Sequence, residues 1–216
     1  MKRVFGTIEA IFDTSYLVFA LTISIVLFAT ASGNPARLLA GAAALSLAGG
    51  DAFHLVPRLM VIKTGEEEKL RKALGIGKQI TSITISIFYL LLWQIGLLVF
   101  SPKGINAWSF LVYALTALRI FLCFLPQNQW KERFPPVKWG VYRNVPFFLQ
   151  GLLVAALNFA NRIVIPGLSL MWLAIILSFA FYLPVVLWAN KNPRIGMLML
   201  PKICAYSWML AICLSL

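Results

Sequence analysis

The sequence predicts an all-α, polytopic membrane protein with seven transmembrane helices, its N-terminus in the cytoplasm and its C-terminus outside. Hydrophobic residues make up 61% of the 216-residue chain and charged residues 12%, whereas soluble domains are roughly half apolar and a quarter charged. The apolar residues fall into stretches long enough to cross a membrane, and these stretches extend from one end of the chain to the other. The basic residues are concentrated in alternate connections between the stretches, as expected for a multi-pass protein.

The spans are assigned from the requirement that a transmembrane helix has about 20 mostly apolar residues. Together they form a single domain over residues 1–216, with spans predicted at 12–32, 38–57, 79–101, 107–126, 143–165, 168–189 and 195–216. Several breaks between them carry residues typical of turns: Gly33-Asn34-Pro35, Ser101-Pro102-Lys103-Gly104, Pro166-Gly167 and Asn190-Lys191-Asn192-Pro193. The one long polar connection, residues 63–78, is predicted to form a short surface helix, in which Thr64 and Glu67 have the spacing of a capping box.

The distribution of basic residues predicts the orientation. Of the 19 Lys and Arg residues, 14 fall on the side of the N-terminus, 3 on the opposite side and 2 inside spans. Because Lys and Arg are enriched in cytoplasmic connections, we expect a multi-pass protein of the cell (plasma) membrane with its N-terminus inside. The formal net charge of +12 is therefore interpreted as an orientation signal. No nucleic-acid partner is expected, since no basic stripe is interleaved with aromatic residues on a polar surface.

A cleavable signal peptide is the alternative interpretation of the N-terminus. Residues 1–3 (Met-Lys-Arg) would be its basic segment and residues 29–31 (Ala-Thr-Ala) its cleavage site. However, Glu9 and Asp13 lie where a signal peptide is apolar or basic. We therefore favour a retained first helix.

The candidate site residues are the ionisable and polar groups at membrane depth, where charges are costly and often functional. In the second span, Asp51, His54 and Arg58 have the spacing of one helical face. The remaining candidates are Asp13 in the first span, Lys78 at the start of the third, Arg119 in the fourth, Arg143 and Asn144 in the fifth, and Lys202 and Tyr206 in the seventh. At 1.5 Å per residue, Asp51, Arg119 and Lys202 lie about 10–12 Å from the predicted cytoplasmic ends of their helices. We therefore expect one polar site facing the cytoplasm.

The charges of this site predict its ligand. Cations outnumber acids among the candidates, and a net-positive pocket of low dielectric is unfavourable unless an anion or water enters it. A structural buried pair, Asp51 with Lys202 or Arg119, is the alternative that involves no ligand. The three cysteines, Cys123, Cys204 and Cys213, have neither zinc-site nor disulfide spacing, and we expect them to be buried packing residues. No metal or cofactor is expected.

Three functions are compatible with these residues. The first is binding, and with it transport or sensing, of an anionic lipid or small anion in a net-positive intramembrane pocket, with membrane lipid as partner. The second is an intramembrane lipid-modifying enzyme of hydrolase type, with Asp51 or His54 as base and with Arg119 and Lys202 stabilising negative charge. The third is a structural or regulatory subunit of a membrane complex. The sequence decides neither whether the protein is an enzyme nor which protein partner it has.

Several strings resemble those of an uncharacterised family of bacterial seven-helix membrane proteins. They are GDAFHLVPR (50–58), ALGIGKQITSITISIFY (73–89), FLPQNQW (124–130), YRNVPF (142–147) and LPKICAYSW (200–208). This resemblance implies a bacterial membrane protein over nearly the whole chain and brings no activity with it. The Gly-Asp pair in the second span is also similar to that of YhhN-like lysoplasmalogenases, which would imply a lipid hydrolase. Those enzymes usually have eight spans and a late acidic site, whereas Asp13 and Asp51 are both early.

Overall fold

The structure, a computed structural model, describes residues 2–189 and 191–216, without the side chains of residues 2–5 and of Pro193. The described part of the chain is helical and contains no strand. Its α-helices are α1 (Lys2–Ala29), α2 (Pro35–Thr64), α3 (Glu67–Phe100), α4 (Asn106–Phe124), α5 (Val137–Ala160), α6 (Met171–Trp188) and α7 (Met199–Cys213). Short 3₁₀ segments cover Pro126–Asn128, Pro166–Leu168 and Pro193–Leu198.

The helices have the length and composition of membrane spans. Within the described residues, seven helical segments are long and apolar enough to cross a membrane. Their outward faces expose large apolar side chains, for example Ile11, Ile25, Phe110 and Phe121, which lipid would cover. The predicted seven-helix all-α architecture is therefore confirmed. The insertion into a membrane and its orientation stay predictions, and the side chains of Lys2 and Arg3 and the turn residue Asn190 lie outside the described residues.

The largest difference from the predicted spans lies between the second and third. No separate surface helix forms over residues 63–78, because α2 continues to Thr64 and α3 begins at Glu67. Gly65 makes the turn between them with a positive φ of 77°, a conformation that glycine adopts at little cost. The predicted capping box is also wrong, since the Thr64 hydroxyl oxygen accepts from the Glu66 N–H at 3.2 Å and no side chain caps the start of α3. Hydropathy missed these helical turns because their side chains are polar.

The start of α2 shows how local chemistry sets a helix end. The Asn34 side-chain oxygen accepts hydrogen bonds from the backbone N–H groups of Ala36 at 2.9 Å and Arg37 at 3.3 Å. Pro35 occupies the first helical position, where its missing N–H costs nothing. The Asn34 amide nitrogen also donates to the carbonyl of Leu216 at 3.1 Å. This residue therefore ties the end of the chain to the turn between α1 and α2.

The helices form a closed bundle in which consecutive helices run antiparallel. Along α2 and α3, the Thr81 hydroxyl donates to the Gly50 carbonyl and the Ser46 hydroxyl to the Thr84 carbonyl. Helix α7 packs against α6, α1 and α2, which closes the bundle, and α3 packs against α2, α4 and α5. We call the end at which α1, α3, α5 and α7 begin the basic end; it is predicted to face the cytoplasm. Because of this closure, side chains from all the helices can meet inside.

Candidate functional site

Helices α2 and α3 approach each other closely beside the predicted site. A Cβ atom on Gly77 would lie 2.7 Å from the Cα atom of His54 and even closer to the carbonyl oxygen of Phe53. A Cβ atom on Gly50 would overlap the Thr84 side chain. Small residues allow this backbone contact between membrane helices. The contact fixes α2 and thereby the position of the acidic residue that follows Gly50.

That residue, Asp51, faces α1 and the interior of the bundle. The hydroxyl of the buried Tyr16 donates to Asp51 Oδ2 at 2.7 Å. Lys202 lies within electrostatic range of this carboxylate, yet the two make no ion pair within 4.0 Å, and neither do Asp51 and Arg119; all three residues are among those described. The buried Asp51 pair considered from the sequence is therefore absent as a direct contact. The Tyr16 hydroxyl, and not a cation, makes the direct contact with the Asp51 carboxylate.

Lys202 on α7 is buried among aromatic rings. Its side chain is only 5% exposed, and its Nζ atom lies 4.4 Å from the ring centroid of Tyr182 and 4.9 Å from that of Tyr206. Among the hydrogen bonds of the described residues, none is donated by this ammonium group. Aromatic faces attract a cation but do not neutralise it. Among the described residues Lys202 therefore has no direct ion pair, and Asp51 acts on its charge only from a distance.

Arg119 on α4 is the second buried cation and is 1% exposed. Its Nε atom donates to the Ser82 carbonyl at 3.2 Å, and its Nη1 atom donates to the Asn144 side-chain oxygen at 2.9 Å and to the Arg143 carbonyl at 3.3 Å. Its guanidinium carbon also lies 3.7 Å from the ring centroid of Phe147. All of these partners are neutral groups, so they orient the guanidinium without balancing its charge.

Two neutral residues connect the cations. The side-chain oxygen of Asn144 accepts from Arg119 and also from the Tyr182 hydroxyl, at 3.2 Å, while its amide nitrogen donates to the Gly140 carbonyl. The ring of Tyr182 faces the Lys202 ammonium. The path Arg119–Asn144–Tyr182–Lys202 therefore joins four helices, α4 to α7.

Buried polar groups continue toward the opposite end of the bundle. The amide nitrogen of Gln150 donates to the Ser86 carbonyl at 3.0 Å and to the Thr116 hydroxyl at 2.8 Å, while its Oε1 atom is buried without a partner. The hydroxyls of Tyr89 and Ser178 lie 2.8 Å apart. Such single hydroxyl and amide groups give no clear signal in the sequence, because they are hard to distinguish from ordinary packing residues.

Other predicted site residues lie outside this path. Arg58 forms an ion pair with Glu9 on α1, with 2.8 Å between Nε and Oε1. Asp13 is buried and within electrostatic range of both, as well as of Asp51. The backbone of His54 packs against α3 at Gly77, and its Nδ1 atom is buried without a partner among the described residues, although His54, like Asp51, lies within electrostatic range of Lys202. The second span therefore distributes its three ionisable residues over two interfaces.

The remaining predicted residues lie close to the basic end or against the path. Arg143 donates to the Asn128 side-chain oxygen at 2.9 Å and lies over the Trp130 ring at 4.2 Å, so only its backbone carbonyl contacts Arg119. Lys78 is exposed, whereas Tyr206 is buried beside Lys202. Two cysteines are buried as expected, but Cys204 is exposed on α7.

The functional candidates that sequence reasoning missed are Tyr16 and Tyr182. Each is a tyrosine within an apolar span, and each contacts a charged side chain. Tyrosine is tolerated in membranes at low cost, so its presence gives no signal by itself. The spacing of Tyr16 three residues after Asp13 is the only local hint, because it places a hydroxyl on the acidic face of α1.

Two surface openings differ in their relation to the cations. A narrow crevice of about 20 Å³ between α5 and α6 reaches Asn144 and Tyr182 and is otherwise apolar, with the half-exposed Leu183 at its lipid side. A groove of about 640 Å³ at the basic end contains none of the predicted site residues. By size alone the groove would be the better candidate for a ligand site. The buried charges, however, favour the path behind the crevice as that site.

Comparisons of the chain with protein-family models, curated proteins and solved structures found no match. The resemblances to a bacterial seven-helix family and to YhhN-like lysoplasmalogenases therefore stay predictions. What the fold defines is the class, a helical bundle with the composition of a multi-pass membrane protein. The site must be interpreted from its own chemistry.

Proposed function

We propose that this membrane protein binds an anionic amphiphile, with the carboxylate or phosphate group of the ligand held between Arg119 and Lys202. The observation that carries the proposal is the environment of Arg119, a guanidinium that is 1% exposed and contacts only neutral acceptors and an aromatic ring. A buried cation without an anion is unfavourable in a low-dielectric interior. Binding an anion removes this penalty.

The local charge count supports an anionic ligand. The path contains two cations, Arg119 and Lys202, and the acid within electrostatic range of Lys202 is Asp51, whose Oδ2 atom accepts from Tyr16. The second nearby acid, Asp13, lies with the Arg58–Glu9 ion pair. Among the described residues no acid contacts Arg119 or Lys202 beside Asn144 and Tyr182, and a ligand can supply a negative charge there.

The surroundings favour an amphiphile over a small inorganic anion. The crevice between α5 and α6 leads to Asn144 and Tyr182 through apolar residues, among them Phe148, Phe179 and Leu183. A ligand that enters from the lipid can place its chain against these residues while its headgroup reaches the cations. The crevice holds about 20 Å³, little more than one water needs, so Leu183 must move when the ligand enters.

Native mass spectrometry with lipid analysis tests the proposal on protein extracted gently from its own membrane. The wild type is compared with Lys202→Met, and with Lys103→Met as a control that removes one cation from the other end of the bundle. We expect one anionic ligand on the wild type and on the control, and its loss from Lys202→Met. Identical spectra with bulk lipid alone would contradict the proposal and favour a structural or partner-binding role.

The enzymatic alternative differs from binding in its dependence on Asp51. For an enzyme that uses this carboxylate as a base, Asp51→Asn keeps the ligand bound but abolishes turnover. For a binding protein, the ligand of the wild type and of Asp51→Asn is recovered chemically unchanged. Incubating both proteins with the identified ligand and analysing it afterwards by mass spectrometry distinguishes the two functions.

A further inference from the structure

The groove at the basic end is a second feature that the proposed function does not use. It has a volume of about 640 Å³ and lies between Ile76 and Gln79 of α3 and residues 124–134, from the end of α4 into its connection to α5. Its volume falls within the range of about 300–1,000 Å³ that is usual for ligand sites. It therefore has room for a lipid headgroup and the first carbons of its chains.

The floor of the groove is fixed by contacts within the protein. The Cys123 carbonyl accepts from the Gln79 side chain at 3.1 Å and from the Trp130 indole at 3.0 Å. The connecting segment also lies directly on α3, because a Cβ atom on Gly75 would be 2.5 Å from the Trp130 carbonyl oxygen. A site held in this way requires little ordering when a ligand binds, which favours affinity.

The walls combine apolar and basic groups. Phe124 and Phe134 are 64% and 69% exposed, so their rings present apolar surface that an acyl chain can cover. Lys131 and Arg133 line the same groove and are exposed, and Glu132 is the acid among its residues. The groove thus presents aromatic surface together with two cations, at the end of a membrane-spanning helix.

A third cation, Arg143, packs against Trp130 at the floor of the groove. Arg143 lies over the ring of Trp130, 4.2 Å from its centroid, and donates to the side chain of Asn128. Together, Lys131, Arg133 and Arg143 place three positive charges in or directly beside the groove, against one negative charge from Glu132. Basic clusters beside a membrane helix attract anionic phospholipids, at about 1 kcal/mol for each Lys or Arg.

We propose that this groove binds the phosphate headgroup of an anionic phospholipid from the adjacent leaflet, with Phe124 and Phe134 against its acyl chains. Lys131 and Arg133 contact the phosphate, and Trp130 forms the floor. This site is separate from the path through Arg119 and Lys202, and its occupancy does not depend on the function proposed for that path.

The test measures phosphatidylglycerol binding to the purified full chain in phosphatidylcholine nanodiscs, by native mass spectrometry over a series of phosphatidylglycerol fractions. The variant is Lys131→Gln with Arg133→Gln. The matched control is Lys63→Gln with Lys72→Gln, which removes the same charge from exposed positions at the end of α2 and in the first turns of α3. The exposed positions of all four residues make a folding defect a poor explanation of any difference.

We expect the groove variant to bind one phosphatidylglycerol about 30-fold more weakly than the wild type, since two basic residues are lost. The control should stay within about 3-fold, because separated exposed charges are screened. Equal weakening in both variants would show a general charge effect and overturn the proposal, and so would unchanged binding in the groove variant. A wild type that binds phosphatidylcholine equally well would also overturn it.

Arg119→Met separates this result from the proposed function. If the groove alone exists, phosphatidylglycerol binding is retained in Arg119→Met while no ligand is found at the buried path in any variant. If the buried path alone exists, Arg119→Met loses a ligand and the groove variant loses none. The measurements can therefore contradict the proposal for either site while supporting the proposal for the other.

Discussion

Replacing Gly77 by alanine tests the close contact between α2 and α3. The new Cβ atom would lie 2.7 Å from the Cα atom of His54 and closer still to the Phe53 carbonyl, and this backbone cannot rotate away. Overpacking of this kind costs typically about 1–3 kcal/mol, and the backbone clash places Gly77→Ala at the upper end. The better helix propensity of alanine offsets about 1 kcal/mol. We expect a net loss of about 2 kcal/mol.

Gly49→Ala is the matched control, because its Cβ atom would have nothing within 4 Å. It should gain up to about 1 kcal/mol from helix propensity alone. For a chain of this size, about 2–4 °C corresponds to each kcal/mol. Thermal unfolding of all three proteins is measured in one detergent by tryptophan fluorescence. We expect the Tm of Gly77→Ala to be about 4–8 °C lower than that of the wild type, and the Tm of Gly49→Ala to be up to about 4 °C higher. A Gly77→Ala protein as stable as the wild type would refute the contact.

Three further predictions concern single contacts and the orientation. Tyr16→Phe removes the hydrogen bond to Asp51 and should lower the unfolding free energy by about 1.5–3 kcal/mol, whereas an unchanged denaturation midpoint would mean that Asp51 has another donor. Asn34→Ala removes the cap of α2 and should cost about 1–2 kcal/mol in the same assay; a gain in stability would argue against the cap. For the orientation, Lys103→Cys should react with a membrane-impermeant thiol reagent in intact cells and Lys69→Cys only after permeabilisation, with the wild type as background; the reverse pattern would invert the topology.

The sequence analysis succeeded where a property is local. Span number follows from stretches of apolar residues, and the turn before α2 follows from Asn34 and Pro35, since each of these signals lies within a few residues. It failed at the end of α2 and the start of α3, where polar residues such as Glu67 hid several helical turns. Periodicity also suggested one face for Asp51 and His54, although they lie at interfaces with different helices.

The sequence by itself determined that this protein is an apolar seven-helix chain, and it predicts a similar depth for Asp51, Arg119 and Lys202. Hydropathy and residue spacing suffice for that, because both are read along one helix at a time. The tertiary structure decided the partners: Tyr16 for Asp51, Asn144 for Arg119 and the ring of Tyr182 for Lys202. Partners on other helices depend on how the bundle closes and rotates each helix, and residues far apart in the sequence carry no record of that rotation. The excess of positive charge was predicted from the sequence, whereas the neutral groups that contact Arg119 and Lys202 became known only from the structure.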